Sequence, residues 1–111
     1  MRYQNANNVM KKEKKKEMKE FKDLEFAKTD MGNVVAGLMF ENNYGISVTM
    51  GPYTKGGLEG KFEIAVLKMP PGKEFSVIAY DTPIADDVIG HLTQEQVSEY
   101  IAKIEQLPIL E

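Results

Sequence analysis

Residues 34–50 read VVAGLMFENNYGISVTM, and their pattern decides the fold. The stretch from Val34 to Phe40 is apolar, with β-branched and aromatic members, and Gly32 and the Asn42–Asn43 pair bound it. That composition predicts a strand buried on at least one face. Beyond the break, Ile46, Val48 and Met50 alternate with Ser47 and Thr49 in a period of two. Such alternation places one set of side chains inside and the other outside. Asn42, Asn43 and Gly45 tolerate positive φ, so the two runs predict a β-hairpin.

The pattern continues outward from the hairpin. Residues 51–60, GPYTKGGLEG, predict a long loop, and Phe62, Ile64 and Val66 then alternate with Lys61, Glu63 and Ala65 as a third strand. Pro70, Pro71 and Gly72 break the chain before residues 75–80, which predict a fourth. Short links favour an antiparallel meander. At the C-terminal end Thr93 and Gln96 form a capping box, with Leu92 placed to staple onto Val97. Val97, Tyr100, Ile101, Ile104 and Leu107 fall on one helical face, Glu99 can pair with Lys103 on the other, and Pro108 stops the run. The predicted fold is α+β: a four-stranded, mostly antiparallel sheet covered by a C-terminal amphipathic helix, with a helix or short strand near residues 21–26.

A chain of 111 residues suits one domain, and a hydrophobic fraction of 42% beside a charged fraction of 28% suits a folded one. With no cysteine, disulfides and thiol chemistry are excluded. No stretch reaches the roughly 20 apolar residues of a membrane span, and the basic start is not followed by the apolar run of a secretory signal, so a cytoplasmic location is expected. Residues 1–28 hold nine Lys or Arg against five acids, whereas residues 29–111 hold five against twelve. An acidic body repels phosphate backbones, which argues against nucleic acid as a partner. Residues 1–17 predict a charged extension, helical or disordered, and residues 18–111 the domain. The Lys- and Glu-rich run before Met18 also resembles a translated ribosome-binding site, making Met18 a candidate start.

Two segments are candidates for function. Glycine in residues 51–60 frees backbone N–H groups that can face an anion, with Lys55 adding charge. The loop lacks the Lys-Ser/Thr ending of a phosphate loop and leads into a strand, so the expected reading is a flexible aromatic loop that binds a partner protein or small molecule. Tyr44, Tyr53, Thr54, Lys55, Gly56 and Gly57 form that expected surface. The second segment gathers Asp81, Asp86, Asp87 and His91, the ingredients of a divalent-metal hydrolase. Local roles compete with that alternative: Asp81 and Thr82 suit a turn before Pro83, Asp86 or Asp87 the first turn of a short helix, and Gly90 its stop. There is no nucleophile elbow, zinc-binding helix motif or dinucleotide fingerprint, so no cofactor is expected and enzyme status is disfavoured. A third alternative is a homo-oligomer joined through an exposed strand edge or the uncovered sheet face.

From Met18 onward the chain resembles a family of small uncharacterised proteins of tailed bacteriophages. The resemblance rests on residues 18–26 (MKEFKDLEF), 43–48 (NYGISV), 62–67 (FEIAVL) and, most specifically, 80–92 (YDTPIADDVIGHL). It extends over nearly the whole domain, with Ala85 standing where a Thr is often seen. It implies a phage protein expressed in a bacterial host cytoplasm and carries no catalytic residue or cofactor with it.

Overall fold

A computed structural model describes residues 19–111; the predicted 1–17 extension lies outside them. Six strands follow in order: β1 (Ala27–Lys28), β2 (Val34–Met39), β3 (Tyr44–Met50), β4 (Phe62–Lys68), β5 (Val77–Ile78) and β6 (Ile89–Leu92). One helix, α1 (Gln94–Glu105), follows β6, and 3-10 turns occupy Phe21–Asp23 and Gly57–Glu59. β1 to β4 form an antiparallel meander, and β5 and β6 both pair antiparallel with the far edge of β4.

The sheet therefore has six strands where the sequence predicts four, and the added ones are short. β1 replaces the element expected near residues 21–26, which instead holds a single 3-10 turn. The fourth strand contracts to Val77–Ile78, because the chain bends at Glu74 and Phe75 and leaves the sheet after Ala79. It returns as β6, in the place assigned to a short helix ending at Gly90. Registers show how. Ile78 lies opposite Leu67 and Ile89 opposite Ile64, so the edge advances eleven residues while β4 advances three. β5 and β6 are two halves of one edge strand, and the acidic segment is the excursion between them.

At the β2–β3 turn only Asn43 takes a positive φ, at 70°. Gly45 is needed for a different reason than the one predicted: a Cβ there would run into the Met39 side chain and the Leu38 carbonyl. Asn42 reaches across the molecule. Its Nδ2 donates to the carbonyls of Ile104 (2.8 Å) and Leu107 (3.0 Å), and its Oδ1 accepts from the Tyr44 amide (3.0 Å). Helices leave their last carbonyls without intrahelical partners, so the hairpin tip supplies a cap for α1.

One face of the sheet carries the core. Ala36, Ile46, Val48, Ile64 and Val66 are buried together with Val97, Ile101 and Ile104 of α1. Burying such a side chain is worth about 1.5–3 kcal/mol relative to leaving it exposed. Phe21, Phe26 and Phe62 close one end with centroids 5.0 to 5.8 Å apart. The predicted capping box is present: Thr93 Oγ1 accepts from the Gln96 amide at 3.2 Å and Gln96 Oε1 from the Thr93 amide at 2.9 Å. The expected Glu99–Lys103 ion pair is absent among the described residues; Lys103 Nζ instead lies 5.0 Å from the centre of the Tyr100 ring.

Candidate functional site

The loop between β3 and β4 is closed by its own hydrogen bonds, in contrast to the flexible loop that its glycines suggest. Thr54 Oγ1 accepts from the Gly51 amide at 3.0 Å, and the amides of Thr54 and Gly57 donate to Gly51 and Thr54 carbonyls, both at 3.2 Å. Glu59 and Lys61 amides both bond the Gly56 carbonyl (3.0 and 2.9 Å), and the Lys55 amide donates to Glu63 Oε1 at 2.8 Å. Donors spent in this way do not converge on an anion. The tight course demands glycine: a Cβ on Gly57 would collide with the Gly51 carbonyl, and Gly56 has a φ of 91° with His91 pressed against it.

The loop docks on β6, which the sequence does not foretell. The Lys55 carbonyl accepts from the His91 amide at 3.0 Å, and Gly90 lies flat against the Lys55 side chain. Between the Phe62–Leu92 and Ile64–Ile89 pairs β6 carries an extra residue, and His91 there has a φ of 59°. A non-glycine residue in the left-handed region costs energy unless its surroundings hold it. Here the bulge turns the exposed imidazole toward the loop, with Nδ1 3.3 Å from Glu59 Oε1.

What this scaffold presents is apolar. Tyr53 keeps 76% of its surface and Leu58 85%, and the polar side chains of Lys55, Glu59 and His91 flank them. Thr54 is half-buried in its turn, and Gly56 and Gly57 act as packing positions. Tyr44 does not join this surface. It starts β3, at the end of the strand opposite the loop, and packs half-buried against the core. Leu58, Glu59 and Glu63 complete the site, and the sequence marks only one of them: a lone Leu inside a glycine-rich turn has no alternating neighbours to give it a core role.

Asp81, Asp86, Asp87 and His91 are not assembled into a centre. Asp81 pairs with Lys68 Nζ at 3.2 Å, and Asp87 Oδ1 accepts from the Val88 amide at 2.7 Å. The turn at Pro83 is held by Thr82, whose hydroxyl accepts from the Ala85 amide at 3.3 Å. His91 belongs to the loop site instead. Among the described residues no three His, Asp or Glu side chains come together as a metal-binding group, and no helix is long and apolar enough to cross a membrane. Comparison with known protein families, curated proteins and solved structures yields no match.

Proposed function

We propose that this chain is a non-catalytic binding module, a phage protein that engages a host protein in the bacterial cytoplasm through the knob formed by residues 51–60. The observation that carries the reading is the pair Tyr53 and Leu58, both exposed on a loop that the amides of Gly51, Thr54, Lys55, Gly57, Glu59, Gly60 and Lys61 tie together. Large apolar side chains on a rigid support lose little conformational freedom on binding, and aromatic anchors of this kind dominate interface energetics. A loop that exposes two large apolar side chains and turns most of its amides inward suits an apolar protein surface better than a phosphate or another small anion. The resemblance to tailed-phage proteins supports a host protein as the partner.

Affinity capture from bacterial lysate tests it, with wild type, Tyr53→Ala, Leu58→Ala and, as an exposed site elsewhere, Ile109→Ala. The proposal expects a partner retained by wild type and Ile109→Ala and lost, by at least about tenfold in affinity, with either loop variant. A partner held equally by all four proteins would place the interface elsewhere.

A further inference from the structure

The outer edges of the sheet are guarded to different degrees, and β1 covers only Val34 and Val35 of β2. β1 carries Lys28 and is bracketed by Glu25 and Asp30, charges of the kind that blunt strand pairing. β6 is covered by the loop, whose Lys55 carbonyl takes the His91 amide. The edge around β5 is open among the described residues. The Ala79 amide donates inward to Val66 at 2.7 Å, so strand alternation turns the N–H and C=O groups of Ser76 and Ile78 outward, where their amides have no partner among the described residues. Phe75 and Val77, 77% and 52% exposed, stand on this edge with exposed Tyr80 beyond them.

We propose that a second copy of this chain pairs antiparallel with this edge about a two-fold axis at Val77, joining two sheets into one. A two-fold axis there sets Ser76 of each copy opposite the other copy's Ile78, the two residues whose backbone groups face outward, and sets Val77 against its own equivalent. The same arrangement brings the side of β5 that leads from Lys73 and Glu74 towards the partner's Lys68–Asp81 pair, so charges of both signs meet there and no block of like charge opposes the pairing. Phe75 then lies over the partner's edge and is withdrawn from water. So short an edge buries less than the ~800 Å² per partner of a standard stable interface, so the pair forms and separates with concentration.

The register supplies a direct test. Val77 faces its equivalent as a non-hydrogen-bonded pair with Cα atoms about 4.5 Å apart, inside the range that a disulfide spans. The chain has no cysteine of its own, so Val77→Cys can link only to itself. Mild oxidation of the full chain should yield covalent dimer rapidly from Val77→Cys and slowly from the exposed control Lys55→Cys. Sedimentation equilibrium of wild type should show a monomer–dimer equilibrium, and Val77→Lys, which sets like charges across the axis, should be monomeric over the same concentrations, with a melting curve that matches wild type at dilutions where wild type is itself monomeric. A wild-type monomer throughout together with equal cross-linking of the two cysteine variants would overturn the proposal. A dimer that survives Val77→Lys would do so as well.

Discussion

Asn42 shows how much a single side chain can hold. It accepts the amide that follows the hairpin turn and donates to the last carbonyls of α1, while its own carbonyl takes the Leu110 amide at 2.9 Å. Asn42→Ala keeps the main-chain bond to Leu110 but leaves the Ile104 and Leu107 carbonyls and the Tyr44 amide without their side-chain partner, and should cost about 1–3 kcal/mol in urea unfolding. Asn42→Asp keeps the acceptor, loses the donors and sets a negative charge at the negative end of the helix, so it should be no milder. Glycine positions give a second residue-scale prediction. Gly60 has a φ of 76° with open space around it, so Gly60→Ala should cost about 1–2 kcal/mol, the strain of a left-handed alanine alone. At Gly56 a Cβ would also lie 2.8 Å from His91 Cα. Gly56→Ala should therefore be the more damaging of the two, and an equal loss would mean that the loop does not press on β6.

Among the elements, α1 is the one whose parts separate most cleanly. Thr93→Ala removes the cap and should cost about 1 kcal/mol, whereas Ile101→Ala opens a cavity against the sheet and should cost about 2–5 kcal/mol. Equilibrium unfolding of both variants checks the order; a milder Ile101→Ala would contradict the burial of this helix face. The excursion between β5 and β6 behaves differently from either strand half. Its polar groups bond locally or to Lys68, so saturating Mg²⁺, Mn²⁺ or Zn²⁺ should leave the melting temperature unmoved. A bound metal at a hundredfold excess over Kd would add about 2.7 kcal/mol, a shift that a thermal scan would register plainly.

At the scale of the molecule, one cluster runs from Leu24 through the central strands to Ile104, with no second core among the described residues. A single cluster predicts a single cooperative transition. Far-ultraviolet circular dichroism and tyrosine absorbance should trace the same curve against urea, and two separated midpoints would show that the loop or the helix unfolds as an independent unit.

The hairpin, the third strand and α1 with its cap are legible in the amino-acid sequence, because each announces itself locally: a period of two or 3.6, flanking Asn, Gly or Pro, and a Thr three residues before a Gln. The sequence also singled out Tyr53 and Lys55, which stand exposed on the loop as a surface residue should. The rest follows from contacts between distant segments. Residues 89–92 became a strand instead of the end of a helix because the free edge of β4 was there to pair with, a partner some 25 residues away that no local pattern reports. The loop is tied down because β6 and Glu63 meet it in space, and Tyr44 lies off the candidate surface because strand length carries it to the far end of the sheet. Local spacing fixes which backbone conformations are inexpensive; which of them is adopted depends on where distant hydrogen-bonding groups and apolar surfaces come to lie.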